Sequence, residues 1–273
     1  PSSIVLNNKG KIYLFCNFRK IDKNLKNKLK NISILDISSI ESFFQSFRGK
    51  KIQIDKNTCS IFFKNIIRQH NTIIEKQDPI YFFKSIKNKT EIKNTIKAHI
   101  CDGVALTKFL FWLKRNFKRK KISELQAQKK LFDFRKNNES FNSSSFPTIS
   151  GSGPNGALIH YKANKKSNRT LKIGDIFLLD SGGHYKYGTT DVTRTISLEN
   201  FQPRVKNIFT RVLKGHIAVV TNDLNKTKKG FLIDKKARSS LKSVNLDYGH
   251  GTGHGVGFFS NVHEGPQAIS KFN

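Results

Sequence analysis

Asp175-Ile-Phe-Leu-Leu-Asp-Ser-Gly-Gly-His-Tyr-Lys-Tyr-Gly-Thr-Thr-Asp-Val-Thr-Arg-Thr-Ile196 contains two β-rich runs, Asp175 to Asp180 and Thr189 to Ile196, joined by a polar, Gly-containing turn. That pattern predicts two antiparallel neighbouring strands. It also brings Asp180 and Asp191, eleven positions apart, into one space. Ionised carboxylates facing each other raise one another's pKa, so the arrangement calls for a cation between them, and Mn²⁺ or Zn²⁺ would serve. The competing reading is two ordinary strand-end aspartates, each capping local backbone.

Downstream, Asp247-Tyr-Gly-His-Gly-Thr-Gly-His-Gly-Val-Gly257 is followed by Val262-His-Glu-Gly-Pro266. Glycine at alternate positions admits close backbone approach and sets the imidazoles of His250 and His254 on one side of an extended segment. Imidazole is a common ligand for divalent transition metals; a Gly-rich turn or an adventitious metal site is the alternative. Upstream, Ala157-Leu-Ile-His-Tyr161 reads as a strand. Before it, Gly151-Ser-Gly-Pro-Asn-Gly156 matches the dinucleotide fingerprint G-x-G-x-x-G. Placed between a Ser-rich loop and a strand, it lacks the strand-to-helix setting that puts a pyrophosphate on a helix N-terminus, so nucleotide binding is not expected there.

Towards the N-terminus, residues 12–18, 34–38 and 51–55 read as strands, Ser60 to His70 as a helix, and Asn71 to Gln77 as a strand before Asp78-Pro79. Strands alternating with a helix make an α/β unit. The residue before proline is pushed out of helical geometry, which sets a domain boundary between 1–77 and 78–273. From Thr90 to about Lys118 the spacing predicts a long amphipathic helix with a core stripe of Ile92, Ile96, Ile100 and Val104, widened by Leu106, Leu110 and Leu113. Ser123-Glu-Leu-Gln126 is a capping box opening a helix to about Lys136. Pro203 opens another to about Asp223, and Leu232 to Val244 reads as a further one.

Composition narrows the classes. A net charge of +31, from 50 Lys+Arg against 19 Asp+Glu, would suggest nucleic acid or an anionic membrane. The lysines recur along the whole chain rather than in one tail or helix, so a solvated basic surface is expected and nucleic acid is disfavoured as a partner. No run approaches the roughly 18 apolar residues of a membrane span, and Val104 to Leu113 is broken by Lys108. Cys16, Cys59 and Cys101 are odd in number and unpaired in spacing, which fits a reducing compartment and three inert buried thiols. With no methionine, the chain reads as a piece of a longer protein.

Five stretches together resemble the pita-bread metallopeptidases, and within them the Xaa-Pro aminopeptidases. They are Asp78 to Ile92, Pro147 to Tyr161, Leu179-Asp-Ser-Gly182, Gly188 to Ile196 and His250-Gly-Thr-Gly-His-Gly-Val-Gly257. The resemblance implies an α/β fold class, with a ribonuclease-H-like α/β domain followed by an incomplete pita-bread α+β domain. It implies a metal-dependent aminopeptidase that releases the N-terminal residue from peptides with proline second, through a metal-activated water. Two divalent ions are implied, Mn²⁺ first, with Zn²⁺ or Co²⁺ as alternatives.

On matching positions, Asp180, Asp191 and His254 would be metal ligands. His160 and His263 would hold substrate and stabilise the tetrahedral intermediate, and His250 would be a nearby pocket residue. A peptide bond to proline has no N–H, so a site for it must rely on shape and on the free α-amino group. The family's last two ligands are glutamates, one of them the general base, and neither is present before Asn273; Glu264 belongs to the His-Glu-Gly-Pro match instead. The chain is therefore expected to be truncated at both ends and, as written, not to assemble a competent dinuclear site. A cytoplasmic homodimer is implied for the parent. The alternatives are a non-catalytic pita-bread binding protein, or a sister activity such as prolidase or methionine aminopeptidase.

Overall fold

The computed structural model describes residues 2–199, 202–259 and 261–271, and divides into two compact units, 1–79 and 80–273. In the first unit, β1 (Ser2–Leu6) pairs antiparallel with β2 (Ile12–Cys16), and α1 (Lys23–Lys28) leads to β3 (Ile32–Asp36), which lies parallel to β2. After α2 (Ile40–Gln45), β4 (Lys51–Ile54) is joined through α3 (Ile61–Arg68) to a parallel β5 (Thr72–Glu75). The four strands and the helix expected here are present, as β2, β3, β4, β5 and α3. α1 and α2, at six residues each, carry too short a pattern to read. Phe15, Ile40, Phe44, Ile54, Ile66 and Ile67 form the core, and Phe43 joins it through ring contacts with Tyr13, Phe15, Phe44 and Phe47.

α4 (Pro79–Phe83) begins on the last residue of the first unit, and the second unit continues with the long α5 (Lys89–Asn116), then α6 (Glu124–Lys136). The Ser123/Gln126 capping box forms as expected, each side chain bonding the other's backbone N–H. β6 (Phe141–Ser144) and β7 (Ile149–Ser152) precede β8 (Ile176–Ser181), which continues through β9 (Gly183–Tyr185) and β10 (Gly188–Thr189) into β11 (Val192–Ser197). β8 is central between β7 and β11, antiparallel to both; β9 lies between β6 and β10. α7 (Pro203–Val220) packs on α8 (Gly230–Lys242), and a Cβ on Gly215 would fall 2.2 Å from the carbonyl oxygen of Ala237. A hairpin of β12 (Gly253–Gly255) and β13 (Glu264–Ile269) completes the unit.

The core lies between α5, α6 and the β7–β8–β11 sheet, around Leu106, Phe109, Leu113, Leu131, Phe177 and Leu179. This corrects the expected stripe on α5. Ile92, Ile96, Ile100 and Val104 are 50%, 57%, 63% and 51% exposed, and the buried face is instead Ala98, Asp102, Ala105, Leu106, Phe109 and Leu113. At 100° per residue, Leu106 and Leu113 point about 100–120° away from the middle of the isoleucine row, so they do not share its face. Burial on the inner face is decided by Asp102, whose carboxylate takes the Arg135 fork at 2.6 and 3.0 Å and the Tyr185 hydroxyl at 2.7 Å. Arg135 also donates to Ser181 Oγ at 3.1 Å, tying the end of β8 to α6.

Two further expectations change. Ala157 to Tyr161 is not a strand: the strand is β7, and residues 153–157 follow it as a 3₁₀ turn. A Cβ on Gly151 would lie 2.8 Å from the Asn155 backbone, so glycine there lets the turn fold back on the strand. Of the three cysteines, Cys16 is buried, whereas Cys59 and Cys101 are half-buried. Burial pushes the Cys59 thiol up, the direction of an unreactive group. Among the described residues no helix is long and apolar enough to cross a membrane.

Candidate metal centre

Antiparallel pairing sets Thr193 opposite Asp180, and Asp191 stands immediately before β11. Thr193 Oγ1 donates to Asp180 Oδ1 at 2.7 Å. Asp191 is half-buried; burial first, and the Asp180 charge second, push its carboxyl above the ordinary value, while His254, His263 and His99 pull the other way. The expected proximity of the two carboxylates is thus present, and so is its electrostatic cost.

β12 carries His254 to the same place, with Nε2 3.4 Å from Asp191 Oδ2. Its Nδ1 lies 2.7 Å from the Gly255 carbonyl oxygen. A carbonyl can only accept, so Nδ1 carries the hydrogen, and Nε2 is the ring nitrogen that faces the carboxylate oxygen. Two donors each about 2.1 Å from one ion at a tetrahedral angle lie about 3.4 Å apart. A ring nitrogen bonded to a backbone carbonyl is also how metal-ligating histidines are oriented. Asp191 and His254 therefore fit a divalent first-row ion in donor type, tautomer and separation. Among the described residues, no three His, Cys, Asp or Glu side chains converge as a metal-holding group, so Asp180 adjoins this pair without completing a triad.

The remaining histidines divide. His263 packs edge-on against His254 with ring centroids 4.2 Å apart, and His160 approaches His263 at 6.5 Å. His160 sits on the turn after β7 with φ +55°. His250 stands apart from this group in its contacts: it packs on Tyr248 at 4.8 Å, and its Nδ1 bonds the Gly251 carbonyl. The expectation that alternate glycines set His250 and His254 on one extended segment is corrected, because β12 begins at Gly253 and residues 249–252 are irregular.

Buried charges on helices hold these loops. Arg238 of α8 donates to Asp234 at 2.8 Å, to Asp247 and the Tyr248 carbonyl at 2.7 Å, and to the His250 carbonyl at 2.6 Å. Thr252 closes the same knot by donating to Asp234 at 2.6 Å. Glu264, next to His263, is buried and paired with Lys87, with Lys84 at 3.7 Å. Those ion pairs occupy its carboxylate.

A cavity of about 590 Å³ opens beside His263, lined by Asn142, Ser145, His184, Phe259 and Asn261. Burial pushes His184 below the ordinary imidazole value, so the ring is neutral at pH 7; its Nδ1 meets Thr189 Oγ1 at 2.9 Å. The sequence reading missed His184 and His99. The only signal for His184 was its place in the turn between the two acidic strands, and a lone histidine on a helix, such as His99, carries none.

Comparison with known proteins places the chain in a family. Residues 93–273 match the model for metallopeptidase family M24, and residues 1–91 match the creatinase/prolidase N-terminal domain. The chain is 41% identical to Xaa-Pro aminopeptidase 1 of Dictyostelium discoideum, over 95% of its own length and 42% of that protein's. It is 37% identical to aminopeptidase P2 of Arabidopsis thaliana, over 94% of its own length and 41% of that protein's. It thus spans under half the length of these curated relatives. Among solved structures, X-prolyl aminopeptidase from Caenorhabditis elegans, described as a cytosolic enzyme with a di-nuclear active site, matches with a TM-score of 0.85 and 31% identity over 95% of this chain and 44% of that one. Prolidase from Pyrococcus furiosus shares the fold, with a TM-score of 0.79 at 20% identity. With two thirds of its length matched to the family model and the Asp191/His254 pair in place, this chain belongs to metallopeptidase family M24.

Proposed function

We propose that the intact protein is a metal-dependent aminopeptidase that releases the N-terminal residue from peptides with proline second. The observation that carries this reading is the Asp191–His254 pair, 3.4 Å apart with Nδ1 of His254 committed to a carbonyl, in an M24 chain resembling Xaa-Pro aminopeptidases. Asp180, Asp191 and His254 would hold part of a site for two divalent ions, Mn²⁺ being the ion proposed. Such ions supply Lewis acidity, lowering the pKa of water and polarising the scissile carbonyl.

The chain's own residues do the rest. Thr193 occupies one lone pair of Asp180 and fixes its rotamer. His263, against His254, and His160 beyond it offer ring nitrogens to the substrate carbonyl and to the oxyanion that forms from it. The cavity beside His263 gives the peptide an uncharged, part-polar wall. Residues 1–77 and 78–273 are proposed as the two domains; the compact units divide at 79/80, while the two family models meet near residue 92. A cytoplasmic location is proposed from the cytosolic relative, and a homodimer from the resemblance alone.

The test is cleavage of an arginyl-prolyl peptide by the intact protein, with and without added Mn²⁺. Release of arginine that chelation abolishes and Mn²⁺ restores is expected; no release under either condition would sink the reading.

A further inference from the structure

Glu124, the first residue of α6, is fully buried, and among the described residues none of its hydrogen-bond partners is a cationic side chain. Four donors surround its carboxylate. Ser152 N reaches Oε1 at 2.8 Å, Asn155 Nδ2 reaches Oε1 and Oε2 at 3.0 and 3.2 Å, and Tyr161 Oη and Arg169 N reach Oε2 at 2.8 and 3.0 Å. Burying a charge is costly unless it is fully hydrogen-bonded, and here the bonds go to both ends of a single loop, 152–169. The first turn of that loop carries His160, directly before Tyr161.

His160 itself is held by little else. Its imidazole is exposed, its ring contact among the described residues is with His263 at 6.5 Å, and its backbone is in the left-handed region that a non-glycine residue occupies only where its surroundings impose it. The Asn155 and Tyr161 bonds bracket this residue from either side. We propose that Glu124 is the positioning residue for His160, its carboxylate fixing the 152–169 loop so that the imidazole faces His263. The proposal rests on the aminopeptidase reading, in which His160 touches substrate.

Only a carboxylate suits this place. Glutamine would turn one oxygen into an NH₂, and Oε1 of Glu124 already faces two donors and Oε2 three, so Glu124→Gln sets donor against donor with almost no change of volume. Tyr161→Phe removes the Oη bond to Glu124, together with the contacts of Oη with Asn155 and Ser167 in the same loop, and keeps the ring packed with Ile149 and Ala163.

The experiment is a double-mutant cycle in the intact, Mn²⁺-loaded protein on a peptide with proline second. It compares Glu124→Gln, Tyr161→Phe and His160→Ala, alone and combined, with Mn²⁺ affinity measured in parallel by calorimetry. Glu124→Gln is expected to lower kcat/KM about 10- to 100-fold. Tyr161→Phe should lower it less, and neither should weaken Mn²⁺ binding. In the His160→Ala background both effects should vanish. Full additivity with His160→Ala, or a loss of Mn²⁺ affinity in step with rate, overturns the proposal. Should Glu124→Gln fail to fold, Tyr161→Phe carries the cycle alone. If the protein cleaves no such peptide, the aminopeptidase reading fails. The positioning role is then judged by imidazole NMR: Tyr161→Phe must move the His160 resonances and leave those of His250 in place, and unmoved His160 resonances overturn it.

Discussion

Thr193 shows how much one hydroxyl can matter in this site. It donates to Asp180 from across the β8–β11 ladder, and the two residues are paired by strand register rather than by sequence distance. Thr193→Val keeps the β-branched shape and removes the donor, freeing the carboxylate to rotate. Mn²⁺ affinity is expected to fall about 10- to 100-fold with little change in urea midpoint, and calorimetry beside a denaturation curve checks both. Asp234 sets a second expectation. Burial opposes its charge, yet bonds from Arg238 and Thr252 and the Arg238 charge outweigh that and hold its pKa below the ordinary 3.8. A depressed carboxylate stabilises the fold above its unfolded pKa and loses that contribution as acid titrates through the folded one. The wild-type 247–252 loop should therefore resist exchange from neutral pH down to about 4 and open below it. In Asp234→Asn the loop should already exchange faster at pH 7, and amide exchange across this range decides it.

At the scale of elements, α5 was readable in extent and not in orientation. Its expected span, Thr90 to Lys118, differs from Lys89–Asn116 by at most two residues, because caps and apolar spacing are local. Its inner face was hidden because Ala98, Asp102 and Ala105 are small or charged, and Asp102 is buried by an arginine 33 positions away. The consequence is measurable. Leu113→Ala should cost about 2–5 kcal/mol, whereas Ile100→Ser, on the row first taken for core, should cost within about 0.5 kcal/mol. Equal costs in urea unfolding would refute the orientation. The segment 157–161 failed for a similar reason: Leu158, Ile159 and Tyr161 have strand-like composition, but the long-range bonds of Glu124 turn the chain there. The capping box, by contrast, lay within four residues and was legible in full.

For the molecule as a whole, the ligand candidates were legible because motif spacing survives in sequence, while the groups that hold them were not. Asp180, Asp191, His254 and His263 could be singled out from their own neighbourhoods; Glu124, Arg135 and Arg238 acquire meaning only once distant loops arrive. The surface charge of +31 adds one expectation at this scale. If the basic surface draws peptides in, KM for an acidic proline-second peptide should rise steeply between low and physiological salt, where screening reaches roughly 8 Å. KM for a neutral peptide should not move, and parallel behaviour would remove the electrostatic effect. A last consequence lies in α6. Glu124 opens this helix and Arg135 nearly closes it, the first gripping the His160 loop and the second the end of β8. Eleven residues at 1.5 Å make a span of about 16.5 Å, and at 100° each they return within about 20° of the same face. The helix is a ruler: it sets the spacing between the 152–169 loop and the end of β8, neither of which adjoins it in sequence. Inserting a single residue between Ala127 and Leu131 would swing one grip about 100° away from its loop while leaving a good helix, so length changes should be tolerated in connections around the site and rejected inside this one element.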